Sequence, residues 1–252
     1  MKVTFLGTGT STGVPMVGCD CPVCQSSEPH NRRFRSSILL EEGGRTLLID
    51  AGPDFRSQAL RHGLAQLDAV VLTHAHADHV LGLDDLRPFS WRKGIPIGAD
   101  EQTQAHVTRM FPYFFTATRS KSSRPQVTLT RLNAGEPISM AGFPLLPVSI
   151  WHGDDSILGF RTGNFAYLTD CNGIPDETWT WLVGLEVLVL GVLRYKPHPT
   201  HFHLEPALAA IQRIGARRTV LTHLSHEFDH DLLKEELPEG VEPGYDGLVL
   251  DL

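Results

Sequence analysis

Cysteine is scarce in this 252-residue chain, four in all, and three of the four fall within six positions of GCDCPVCQ, as Cys19, Cys21 and Cys24. No apolar run approaches the roughly 20 residues that a membrane-spanning helix needs. The N-terminal MKVTFLGTGT lacks the long apolar segment of a secretory signal, so a cytoplasmic location and reduced thiols are expected. A tight cluster of reduced thiols reads more readily as a metal site than as disulfides. Basic residues are also short: 22 Lys and Arg against 29 Asp and Glu leave a net charge of −7, which disfavours a nucleic-acid partner. One basic run, RSKSSRPQVTLTR with Arg119, Lys121, Arg124 and Arg131, reads as a solvated loop. No low-complexity linker divides the chain, and a 41% hydrophobic content is enough for a full core, so residues 1–252 are expected to form a single domain.

What is present is a series of short apolar runs. VTFLG, SILLE, TLLID, AVVLT, FPLLPVSI, FAYLT, EVLVL and RTVLT are each bounded by Gly, Pro, Asp or Asn and read as strands. EEGGR is a hairpin turn, while DFRSQALRHG, EQTQAHVTRMF, DETWTWLV and LEPALAAIQRIG have helical spacing. Mixed strands and helices imply a layered α/β architecture. The two halves echo each other: LLIDAG resembles YLTDCNG, and VVLTHAH resembles TVLTHLSH. In both pairs an apolar strand ends on Asp or on Thr-His, at the sheet edge where α/β folds keep their chemistry.

THAHADH follows one of these strands and places His74, His76, Asp78 and His79 within six positions. In an extended exit segment, residues two apart face the same way, so His74 and His76 can hold one ion while Asp78 and His79 face a neighbouring position. Further donors are then required. His152, Asp170 and His223 each lie at or just past a predicted strand end, and a carboxylate such as Asp170 can bridge two cations. This HxHxDH run, followed by a later His, a strand-end Asp and a final His, resembles the metallo-β-lactamase superfamily of hydrolases. The resemblance implies a four-layered αβ/βα sandwich with two divalent metals, zinc or manganese, at one sheet edge. By position, His74, His76 and His152 would hold one metal, Asp78, His79 and His223 the other, and Asp170 both. Asp50, ending LLID, would orient a ligating histidine, or simply turn the chain.

A tetrahedral zinc site would need a fourth ligand beside the three clustered cysteines, and Cys171 and His226 are the candidates. GTGTSTGVPMVGCDCPVC and LTHLSHEFD are similar to the corresponding segments of the PhnP-like phosphoribosyl cyclic phosphodiesterases. That resemblance implies a structural zinc on Cys19, Cys21, Cys24 and His226, pinning the N-terminal loop to the loop that carries His223.

Two cations about 3.5 to 4 Å apart can generate hydroxide at neutral pH and clamp the oxygens of a displacement at phosphorus. The departing alkoxide then needs a proton from a positioned acid. RYKPHPTHFHLE offers His198, His201 and His203. The PhnP-like resemblance selects His201, with His203 its rival by proximity and His198 a turn residue. His201 and Asp78 are therefore the catalytic candidates. Arg194, Lys196, Arg119 and Arg124 are candidates for meeting a phosphate, and FPYFF, 111 to 115, for walling a pocket or packing a core; no substrate-binding residue is assigned. The resemblance implies a small cyclic phosphodiester such as 5-phosphoribosyl 1,2-cyclic phosphate as substrate, and it is consistent with a homodimer. A tRNA-processing nuclease, a thioesterase or a lactonase of the same superfamily are the alternatives, as is a non-catalytic module on the same scaffold.

Overall fold

The computed structural model describes residues 1–116 and 122–252. The strands are β1 (Lys2–Gly7), β2 (Ser37–Glu42), β3 (Arg45–Ile49), β4 (Ala69–Val71), β5 (Ile95–Ala99), β6 (Val127–Arg131) and β7 (Ile138–Met140), followed by β8 (Phe143–His152), β9 (Asp155–Thr162), β10 (Phe165–Leu168), β11 (Val187–Gly191), β12 (Arg218–Thr222), β13 (Val241–Pro243) and β14 (Val249–Asp251). Helices are α1 (Pro22–Gln25), α2 (Phe55–Arg61), α3 (Ala77–Val80), α4 (Arg87–Ser90), α5 (Glu101–Met110), α6 (Pro112–Phe115), α7 (Asp176–Trp181), α8 (Leu204–Ile214) and α9 (His230–Glu236). One sheet runs β14-β1-β2-β3-β4-β5-β6 and the other β13-β12-β11-β10-β9-β8-β7.

Strand alternation explains the layering. Leu47 and Ile49 of β3 join Val187 and Val189 of β11 in a core between the sheets. Their neighbours point outward, since successive strand residues face opposite sides. Leu48 packs with Phe55 of α2 and Val107 of α5, while Leu188 and Leu190 pack with Ala207, Ala210 and Ile211 of α8. The result is helix on sheet, sheet on sheet, sheet on helix, the αβ/βα sandwich expected. Helix α8 stops where Gly215 turns left-handed at φ 68° and donates its N–H to Ile211. Among the described residues, no helix is long and apolar enough to cross a membrane.

One expectation changes and one open alternative is resolved. Part of the basic run read as loop is strand β6, which pairs parallel with β5. Its β-branched Val-Thr-Leu-Thr pattern outweighs the surrounding polar residues. Arg131 pairs with Glu101 at 2.8 Å, and Arg124 donates to the carbonyls of Tyr113 and Thr116. Arg119 and Lys121 lie outside the described residues. In FPYFF, Phe111 and Phe114 are buried in the core beneath the helices of the first sheet, and Tyr113 donates to Asp84 at 2.8 Å. Core packing is thus the role of the two buried rings.

Candidate metal centre

The order of the second sheet sets the site. Strands β10, β11 and β12 are parallel, and β8 reaches β10 through antiparallel β9, so β8, β10 and β12 end at the same edge. His152 ends β8, while Asp170 and His223 follow β10 and β12. The first sheet delivers THAHADH from β4, and Leu158 donates to the Thr73 carbonyl at 3.0 Å, joining the two sheets beside His74. The exits are tight turns: Asp50, Asp170 and His223 have φ of 65°, 57° and 57°, an uncommon region for residues with a Cβ. The helix turn bearing Asp78 and His79 rests on bare backbone, for a Cβ on Gly52 would come within 2.0 Å of the Asp78 carbonyl oxygen.

Three donor groups converge. His74, His76 and His152 form one; Asp78, His79, Asp170 and His223 form the second; His152, Asp170 and His201 form a third, and within each group the candidate ligand atoms lie within 4.8 Å of one another. Asp170 Oδ2 is the hub, 3.2 Å from His223 Nε2, 3.3 Å from His79 Nε2 and 3.8 Å from His74 Nε2. Asp78 Oδ2 lies 3.2 Å from His79 Nε2 and 3.6 Å from His223 Nε2.

The far nitrogens are tied back. His79 donates from Nδ1 to Asp50 Oδ2 at 2.7 Å, and His152 from Nδ1 to the Asp170 carbonyl at 2.5 Å. Thr73 donates its hydroxyl to Asp50 Oδ2 at 2.8 Å and stands 3.0 Å from His74 Nδ1, so Asp50 steadies two histidines, one of them through Thr73. Such contacts fix the tautomer and aim Nε2 at the centre. Nε2 of His74, His79 and His223 is nevertheless buried without a hydrogen-bond partner. Buried orphan nitrogens are costly in a protein interior. Burial would raise Asp170, but His223 and His79 beside it hold it well below the ordinary carboxylate range; the same holds for Asp78 beside His79 and His223. Imidazole nitrogens converging on carboxylates that stay ionised form a donor set that suits cations of the borderline type that histidine and aspartate bind.

His201 stands at the mouth, its ring 4.9 Å from and stacked on His223 and 4.8 Å from and edge-on to His152. Burial, with His223 and His152 nearby, pushes it down to about 3. His203 caps the backbone of α8 and belongs to none of the donor groups found. His198 lies behind His201 at 5.0 Å, with Nδ1 3.3 Å from the Thr200 amide. Arg194 turns to the carbonyls of Lys196 and Pro197, at 3.1 and 2.8 Å. Two functional neighbours escaped the sequence reading. Thr73 opens the THAHADH run, and Asn172 follows Asp170 by two positions.

The thiols form a second centre. Cys19 and Cys21 lie 3.3 and 3.4 Å from His226 Nδ1, and Cys24 completes the cluster. A tetrahedral zinc with bonds near 2.3 Å to sulfur and 2.0 Å to nitrogen spaces its ligands by about 3.5 Å, so the donors fit. The Cys24 amide, followed by His226 and Cys19, lowers the Cys21 thiol, as a thiolate ligand requires. Cys171 lies apart, fully buried beside Asp170, with its thiol raised by burial.

A paired-sheet sandwich with such a histidine and aspartate centre at one edge defines the metallo-β-lactamase fold, with donors suited to divalent cations. The chain belongs to that superfamily: residues 45–224 match the family described as Beta-lactamase superfamily domain. It is similar to the crystal structure of a diphosphatase from the PhnP family, with 42% identity, a TM-score of 0.93, and coverage of 100% of this chain and 97% of that one. A curated relative from Porphyromonas gingivalis named octanoyltransferase is 41% identical over 251 residues, 98% of this chain and 51% of the relative. A ribonuclease Z from Bradyrhizobium diazoefficiens is 30% identical over 164 residues, 63% of this chain and 48% of the relative. The chain therefore spans about half the length of these curated relatives.

Proposed function

We propose that the chain, acting as one catalytic unit, hydrolyses a P–O bond of a small phosphodiester at a centre of two divalent cations. The observation that carries this reading is the shared carboxylate: Asp170 Oδ2 reaches His74 of one donor group and His79 and His223 of the other. His74, His76 and His152 would hold one cation, Asp78, His79 and His223 the second, with Asp170 between them, and Cys19, Cys21, Cys24 and His226 would hold a structural zinc. When bound, the paired cations supply Lewis acidity, which makes water a nucleophile at neutral pH and neutralises charge on the phosphoryl oxygens.

The protein's own groups do the rest. Asp50 and Thr73 keep the imidazoles in register, and the buried donor edge excludes bulk water from one side of the phosphorus. Burial, His223 and His152 hold the free His201 neutral at pH 7, so His201 would take up a proton as the anionic phosphate binds and pass it to the departing oxygen. A small cyclic ribose phosphate, opened at one ester bond, uses every one of these parts, because its alkoxide leaves poorly without a proton. A diphosphate is the second reading, favoured by the similarity to the PhnP-family diphosphatase; there the leaving phosphate needs less help. Long RNA is disfavoured by the net charge of −7. Acyl transfer through a cysteine finds no support, because Cys171 is buried and the other three thiols gather at His226.

The test is metal analysis followed by turnover of bis-p-nitrophenyl phosphate, 5-phosphoribosyl 1,2-cyclic phosphate and a dinucleoside diphosphate. Two tightly held metals with no turnover of any of the three would overturn the reading. His201→Ala is expected to slow the cyclic substrate by about 10²- to 10⁴-fold, as loss of a general acid does, and the aryl ester far less. Equal slowing would remove His201 from that role.

A further inference from the structure

The segment after Asp170 is tied to both flanks of the site. Asn172 donates its backbone N–H to the Trp151 carbonyl at 2.8 Å, beside His152. The Cys171 carbonyl accepts from the Phe202 amide at 2.6 Å, immediately after His201. The Asn172 side chain then bridges the two flanks. Its Oδ1 accepts from the Gly153 amide at 3.0 Å, and its Nδ2 donates to the Pro199 carbonyl at 2.8 Å. Donor meets acceptor on both sides, which fixes the orientation of the amide.

The loop 195–201 is anchored at its start by Tyr195, whose hydroxyl donates to Glu236 at 2.8 Å and whose ring packs edge-on against Phe228, and within itself by Thr200 on His198 Nδ1. It has no regular secondary structure, and two of its residues, Pro197 and Pro199, have no N–H to donate. Arg194 holds its first half through the Lys196 and Pro197 carbonyls. Its second half, which carries His201, is gripped at Pro199 by Asn172 and at Phe202 by Cys171. The contact is close, for a Cβ on Gly153 would come within 3.0 Å of the Thr200 methyl.

We infer that Asn172 is a positioning residue, locking the loop that bears His201 to the ends of the strands that bear His152 and Asp170. The inference rests on His201 as the proton donor. Asn172 touches no reacting atom; it sets where the donated proton stands. A misplacement of about 1 Å costs as much as 10²-fold in rate.

Asn172→Asp separates the two ties. A carboxylate still accepts from Gly153 but faces the Pro199 carbonyl with oxygen against oxygen, so the loop is released while the His152 turn stays held. With 5-phosphoribosyl 1,2-cyclic phosphate, Asn172→Asp is expected to lower kcat by about 10- to 10²-fold. With bis-p-nitrophenyl phosphate, whose leaving group needs little protonation, kcat should fall less than about 3-fold. Metal content should match the parent protein. Combined with His201→Ala, the substitution should add almost nothing, because the group it positions is gone. Equal slowing of both substrates, loss of metal, or an effect that adds in full to His201→Ala would overturn the inference. If His201→Ala alone slows both substrates equally, the proton-donor reading fails and the inference fails with it. If His201→Ala discriminates and Asn172→Asp does not, only the positioning role fails.

Discussion

Asp170 concentrates the demands of the site on one side chain. Its Oδ2 faces three imidazole nitrogens, its Oδ1 accepts from Thr169 at 2.7 Å, its carbonyl accepts a hydrogen bond from His152 Nδ1, and its backbone is left-handed. Asparagine adopts that backbone region as readily as aspartate does, so Asp170→Asn removes charge without adding strain. The variant should keep the melting temperature of the metal-stripped parent, bind fewer active-site metals by elemental analysis, and lose turnover by about 10³-fold or more, the scale of a missing electrostatic stabiliser. A variant that retained its full metal content would show that Asp170 does not bridge. His74, His76, Asp78 and His79 were legible in the sequence because one strand exit brings them together within six positions. Asn172 was not, since an Asn between a strand and a Gly reads as an ordinary turn residue. Its partners lie 19 and 27 positions away, and only the fold shows them.

At the scale of elements, the segment from Cys19 to Arg35 is laid along the segment from His223 to Leu233. Arg33 donates to the Ser225 and Phe228 carbonyls, and Asn31 donates to Asp229, which caps α9. Next in line, the rings of His30, His230 and Tyr245 gather with centroids 4.2 to 5.8 Å apart. Burial, then His30 and Arg33, lower His230 to about 4, and its Nδ1 has no partner. The unfolded chain takes up this proton near pH 6.5, while the folded chain resists until about pH 4, so the stability contributed is present above pH 6.5 and lost as pH falls through that window. Thermal melts of His230→Phe, which keeps the ring and loses the titration, should therefore fall less steeply between pH 6.5 and 4 than those of the parent. Parallel curves would exclude His230 as the source. The cysteine spacing made the thiol cluster visible beforehand, but the ring trio was invisible because its members are 200 and 15 positions apart. The strands β1, β2, β3, β4, β8, β10, β11 and β12 were readable from apolar runs. Strand β6 was hidden within a basic stretch, and β5 within a segment interrupted by Pro96 and Gly98.

Across the whole molecule, the first sheet contributes His74, His76, Asp78 and His79 to the edge, and the second contributes His152, Asp170 and His223. Cations held between them would staple the two sheets at one end of the sandwich, while the far end relies on the apolar core between the sheets. A ligand that binds only the folded state at about 1,000 times its dissociation constant adds roughly 4 kcal/mol. For a chain of this size that raises the melting temperature by about 10 °C, at some 2 to 4 °C per kcal/mol. Chelation should lower the melt by that order, and hydrogen exchange should locate the loosening. Amides that close the site, such as Leu158 on Thr73, Phe202 on Cys171 and Asn172 on Trp151, should exchange faster in the stripped protein, because the carboxylates and imidazoles they position would then repel or stand unpaired. The pairing of β1 with β14, in the other half of the core, should be unaffected. If the stripped protein melted at the same temperature, or if protection fell evenly over both sheets, the cations would not be acting as a staple between the halves.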